Sequence, residues 1–72
     1  MMLPLLRETG EALHGPQWQS ALARDLGISD RTMRRWVAGT YPVPKGVRDD
    51  LLRLCAERGA LLEEVAQRLK AA

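Results

Sequence analysis

Arg31, Arg34 and Arg35 crowd one short segment, and Lys45 and Arg48 follow before the next acid. Residues 31–48 therefore carry a net charge of +5, against −2 for residues 1–30 and −1 for residues 49–72. Guanidinium groups gathered without counter-ions suit phosphate, and an arginine held on a helix can bond guanine O6 and N7 as a bidentate pair. The plainer reading is a solvated helix face, but such faces usually mix signs. The whole chain is only +2, so the distribution carries the signal, not the total.

Two short helices and a tight turn must position these arginines. Leu22, Ala23 and Leu26 have the spacing of one buried helical face, and Ala23 is small where a second helix must cross closely. Gly27 follows, where a left-handed cap favours glycine. Ile28 is a lone apolar residue in the turn, suited to plugging the space between the helices. Ser29 stands where an N-cap is expected, and Asp30 follows in the first turn, where the helix dipole favours an acid. The second helix runs from about Asp30 to Ala38 and ends at Gly39. Met33, Trp36 and Val37 mark its inward face by i, i+3, i+4 spacing. Arg31 and Arg35 then lie on the opposite side, one turn apart, with Arg34 on the flank. Thr32, near the helix start, suits a phosphate or a thymine methyl.

Residues 23–39 read Ala23-x-x-x-Gly27-Ile28-Ser29-Asp30-x-Thr32-x-x-Arg35-Trp36-x-x-Gly39. This resembles the helix-turn-helix of the phage repressor, Cro and xenobiotic-response-element regulator families. The resemblance spans about residues 17–39, a third of the chain, and is most specific at the turn. It implies a DNA-binding unit whose base-reading positions are Asp30, Arg31 and Arg35. It implies a phosphate contact for Gln19, early in the first helix of the pair. It also implies that the loop after the second helix runs along the phosphates, making Thr40, Tyr41 and Lys45 backbone contacts beside Arg34 and Arg48. One departure matters: these families often carry glutamine where this chain has Asp30. An acid there can accept from cytosine N4, or it only favours the helix start and orients Arg34 through an i, i+4 pair. The second alternative is the better explained locally.

The rest of the chain reads as helical scaffold. A first helix begins near Pro4, with Leu5, Leu6, Thr9, Ala12 and Leu13 as its buried stripe and Gly10 as a slight weakness. His14-Gly15 ends it and Pro16 opens the next helix. His14 reads as a helix-end residue, not a ligand or base. Trp18 either staples the second helix to the core or turns toward a DNA backbone, with the staple favoured. Thr40 to Gly46 holds two prolines and reads as a loop; Tyr41 within it either meets phosphate or packs beneath the loop. Val47, Leu51, Leu54, Cys55, Leu61, Leu62, Val65, Ala66 and Leu69 keep three-and-four spacing. One long helix from about Lys45 to Leu69 is favoured over two broken at Gly59. Its far end would expose Leu62, Val65 and Leu69, a stripe that suggests a partner, most simply a second copy. Cys55 falls on the stripe and reads as a core residue.

The chain is 72 residues, near the lower limit for an independent core, and one domain. The expectation is an all-α, small helix-turn-helix domain of four to five helices with a long C-terminal helix, about 45–70, available for dimerisation. One cysteine allows no intramolecular disulfide, which fits a reducing cytosol. Met1 to Leu6 is too short for a signal peptide before Arg7-Glu8, and no apolar run approaches the ~20 residues of a membrane span. No metal-ligand spacing, phosphate-cradling glycine loop or nucleophile–base pair is legible, so an enzyme is not expected and no cofactor is called for. Asp49-Asp50 and Glu63-Glu64 are adjacent pairs pointing different ways on a helix. The expected function is a sequence-specific double-stranded DNA-binding regulator, cytoplasmic and dimeric, repressing by occlusion of a promoter. Two rivals share the residues: a DNA-binding antitoxin or accessory recombination factor with a protein partner, and a protein-interaction module with no DNA role.

Overall fold

The computed structural model describes residues 3–72; Met1 and Met2, part of the apolar amino-terminal stretch, lie outside them. The described residues form four α-helices: α1 (Leu3–His14), α2 (Gln19–Leu26), α3 (Asp30–Ala38) and α4 (Val47–Ala71). The all-α class, the two short central helices and the long last helix are as expected.

The core is small and built from every helix. Leu6, Trp18, Leu22, Ala23, Met33, Trp36, Val47 and Leu51 are buried, with Leu3, Leu13, Leu26, Ile28, Val37, Val43 and Leu54 packed around them. Ile28 thus plugs the turn between α2 and α3. Gly27 and Gly39 close these helices at φ 71° and 78°, the left-handed conformation that other residues resist. The Gly27–Ile28 amides return to the carbonyls of Arg24 and Ala23.

Three expectations about the scaffold need correction. The buried face of α1 is Leu6 and Gly10 flanked by Leu3 and Leu13, whereas Leu5 and Ala12 are exposed and Thr9 is half-buried. The cause is Trp18, which lies against Gly10 so closely that an added Cβ would stand 2.2 Å from its Cε3. Gly10 is therefore a packing site, not merely a weakness. The indole is buried, so Trp18 is the staple. Pro16 does not open α2: it sits in a turn, Trp18 takes helical backbone angles as the N-cap residue, and the helix begins at Gln19. Finally, Cys55 is exposed. The inward stripe of α4 is Val47, Leu51, Leu54 and Arg58, and Cys55 falls to one side of it.

α1 lies along the first half of α4. Leu5 and Thr9 line a groove of about 160 Å³ with Arg48, Leu51, Leu52 and Cys55. Farther along, Arg58 Nη1 donates to the Leu13 carbonyl at 3.2 Å, satisfying an open carbonyl at the end of α1. His14 Nε2 meets Asp25 Oδ2 at 2.6 Å and ties α1 to α2. Past Arg58, α4 leaves the core and runs unbroken through Gly59 to Ala71. The molecule measures 49 × 22 × 20 Å with a radius of gyration of 14.0 Å, against about 11 Å for a compact chain of this length.

Candidate nucleic-acid interface

α3 is held rigidly by its inner face and both ends. Met33 is fully buried and Trp36 nearly so, against the Leu22–Ala23 face of α2. At the start, Ser29 Oγ accepts from the Thr32 amide at 3.1 Å and donates to Thr32 Oγ1 at 3.0 Å. This caps the helix and satisfies an amide that would otherwise lack an intrahelical partner. The cap is thus Ser29, and Asp30 is the first helical residue, exposed in the first turn. The i, i+4 ion pair that would orient Arg34 on Asp30 is not formed among the described residues.

At the other end the loop folds back over α3. The Arg35 carbonyl accepts from the Thr40 amide at 3.1 Å, the Tyr41 amide at 3.4 Å and the Thr40 hydroxyl at 3.2 Å. This brings the Tyr41 ring under the Arg35 guanidinium, whose Cζ stands 4.9 Å from the ring centroid. Such a cation–π contact limits the sweep of a long flexible side chain. Thr32, Arg35, Trp36, Tyr41, Pro42 and Pro44 together line a shallow groove on this face. Sequence reasoning missed both the stacking and the Thr40 hydroxyl bond. The available signal was a tyrosine placed just past the Gly39 cap, where the reversing chain returns to the last turn of α3.

The outward face of α3 presents Asp30, Arg31 and Arg34 fully and Arg35 half-buried against Tyr41. None of Arg31, Arg34, Arg35, Lys45 and Arg48 joins an ion pair among the described residues. On α4, by contrast, Arg53 pairs with Asp50 and Glu57, and Arg68 pairs with Glu64. The cations of α3 stand open, as do Arg48 and Lys70 of α4, whereas Arg53 and Arg68 are compensated within the protein.

The remaining predicted residues are dispersed. Thr32 is committed to the Ser29 cap and Thr40 to the end of α3. Gln19 is the first residue of α2 and is half-buried, and Lys45 is exposed in the turn before α4. Arg48 lines the α1–α4 groove, not the groove that holds Arg35 and Tyr41. Leu62, Val65 and Leu69 are exposed on the far half of α4. Among the described residues no group of three or more His, Cys, Asp or Glu is placed to hold a metal ion, and no helix is long and apolar enough to cross a membrane.

Chemically, this face can offer two guanidinium groups one helical turn apart on a convex, fixed helix. That geometry can enter a groove about 12 Å wide and present paired donors to a base edge. Comparison of the chain with protein-family models, with curated proteins and with solved structures gives no match.

Proposed function

We propose that this chain is a sequence-specific double-stranded DNA-binding regulator that places α3 in the major groove and acts as a homodimeric repressor. One observation carries the reading: Arg31 and Arg35 project without counter-ions from a helix fixed by Met33, Trp36 and the Ser29 cap. The resemblance of residues 17–39 to phage repressor and Cro-type helix-turn-helix units supports the same assignment. In this reading Arg31 and Arg35 read bases, and Arg34, Lys45 and the amino-terminal end of α2 at Gln19 meet phosphates. Asp30 favours the helix start more than it reads a base, since a carboxylate near phosphates is repelled unless it finds cytosine N4. Repression requires only occlusion of a promoter, which a chain of 72 residues can supply. A cytoplasmic, nucleoid-associated location belongs to the same proposal.

The test is binding to the DNA upstream of its own gene, read by fluorescence anisotropy across a salt series, beside Arg31→Ala and Arg35→Ala. Each substitution is expected to cost about 1–3 kcal/mol of base discrimination, while wild-type affinity falls steeply with salt. Equal, weak binding to any duplex, unchanged by both substitutions, would remove the reading. A second reading draws on the exposed apolar half of α4: an antitoxin or recombination accessory that uses this helix to hold a different protein. Co-purification of such a protein from the native source, with the regulator itself monomeric, would favour it.

A further inference from the structure

We propose that α4 pairs antiparallel with α4 of a second copy through a seam that the folded core does not use. The inference deepens the homodimer of the preceding reading and is independent of its DNA chemistry.

Two apolar stripes run along α4. One is Val47, Leu51, Leu54 and Arg58, which faces the core and bonds the end of α1. The other is Leu52, Cys55, Gly59, Leu62, Ala66 and Leu69, whose spacing alternates three and four, the a and d pattern of a helix pair. This second stripe is open along its length. Leu52, Leu62 and Leu69 are 57%, 61% and 71% exposed, Cys55 and Gly59 are exposed, and Ala66 is half-buried. Val65 stands beside it as a flanking position.

The stripe is complementary to itself only in reverse. When two copies run oppositely, each a residue faces a d residue. Setting Leu52 against Leu69 of the second copy puts Cys55 against Ala66 and Gly59 against Leu62, with every pair occurring twice about a two-fold axis. Large residues thus meet small ones at the centre, and leucines meet at the ends. The end pair also reaches the α1–α4 groove, where Leu5 is itself exposed and lies beside Leu52. Charge agrees: the same register brings Lys70 next to Asp49 of the second copy, and neither residue has an ion-pair partner within the protomer among the described residues. Gly59 is the third argument. Glycine inside a helix is unfavourable relative to alanine, and an added Cβ at Gly59 would meet nothing within 4 Å among the described residues. Its smallness serves no contact among the described residues of the single chain, whereas it makes room for Leu62 of the second copy.

Cys55 makes the register measurable. In the antiparallel pair the two Cys55 thiols lie about 16 Å apart along the axis, whereas Cys55 of one copy faces position 66 of the other. Wild-type protein and Ala66→Cys are treated with a short bis-maleimide, and Leu69→Glu is compared with wild type by sedimentation equilibrium. The expected result is a wild-type dimer that does not crosslink, an Ala66→Cys dimer covalently joined between Cys55 and the thiol introduced at position 66, and a Leu69→Glu mass reduced by half. A monomeric wild type overturns the proposal, as does wild-type crosslinking through two Cys55 thiols, which marks a parallel pair. DNA binding measured on the same samples separates the two claims. A dimer that ignores DNA refutes the DNA reading and leaves the seam, and a monomer that binds specifically refutes the seam and the homodimer and leaves the DNA reading.

Discussion

Gly10→Ala should destabilise this protein, although local helix chemistry argues the opposite. Alanine in place of glycine inside an exposed helix gains about 0.8–1.0 kcal/mol. Here the new Cβ would stand 2.2 Å from Trp18 Cε3, 2.5 Å from Cδ2 and 3.0 Å from Cγ. The rigid indole would have to retreat by about 1 Å or more to restore an ordinary van der Waals distance. It is buried in the same cluster as Leu6 and Leu22, so it has no free direction. Overpacking of this kind costs about 1–3 kcal/mol, and the size of the overlap places this site at the upper end. The net expectation is a loss of about 2 kcal/mol, from a total of about 4–11 kcal/mol for a domain of this length. Thermal unfolding followed by tryptophan fluorescence should then show Tm lower by about 8–16 °C. A midpoint unchanged or raised refutes the packing argument. A double-mutant cycle with Trp18→Leu isolates the cause: without the indole, Gly10→Ala should become neutral or stabilising. If it destabilises equally in both backgrounds, Trp18 is not the reason for glycine at this position.

Substitutions at two further positions probe how α3 is held. Ser29→Ala removes the acceptor for the Thr32 amide and should cost about 1 kcal/mol, seen as a shift in the urea midpoint with an unchanged slope; a wild-type midpoint would mean the cap contributes nothing. Tyr41→Ala removes the ring beneath Arg35 and should lower specific DNA affinity by a few-fold while costing stability no more than about 1 kcal/mol. Tyr41→Phe should behave as wild type, and equal losses in both variants would show that the hydroxyl, not the ring, supplies the contact.

The central helices were legible because their boundaries are written in residues with one dominant use each. Gly27 and Gly39 take left-handed backbone, Ser29 caps, and Met33 and Trp36 leave only one inward face. The face of α1 was less so. Leu5 and Leu6 serve equally well in a local pattern, and the choice between them is made by Trp18 on another segment, lying across Gly10. Cys55 shows the same limit: it belongs to an apolar stripe, but α4 carries two, and only the packing of α1 tells which one faces inward. The Arg35–Tyr41 stack depends on the path of a loop after a helix cap, which no periodicity encodes. Arg48 shares the charge run of α3 in sequence, yet as the second residue of α4 it lines the groove beside α1.

The far half of α4 should owe its order to pairing, and this is measurable. Among the described residues, none beyond Arg58 belongs to the core cluster or the shell packed on it, and the segment begins at Gly59, a residue that costs about 1 kcal/mol in a helix. Within it, Arg68 bonds Glu64 and Gln67 bonds Glu63, both at i, i+4 spacing. Such pairs contribute about 0.2–0.5 kcal/mol each, which together at best cancels Gly59 and leaves no surplus. Isolated helices shorter than about 12–15 residues are marginal in water, and this segment is of that length. It is not isolated, since the anchored half supplies a nucleus, so it should fray from Ala71 inward without melting the core. Pairing along Leu62, Ala66 and Leu69 would remove that fraying. Circular dichroism at 222 nm should therefore rise with protein concentration, in step with the mass measured by sedimentation, and Leu69→Glu should hold the low-concentration value throughout. Helicity that is already maximal in dilute monomer would refute the argument, because the segment would then be stable on its own and its apolar stripe would need another explanation.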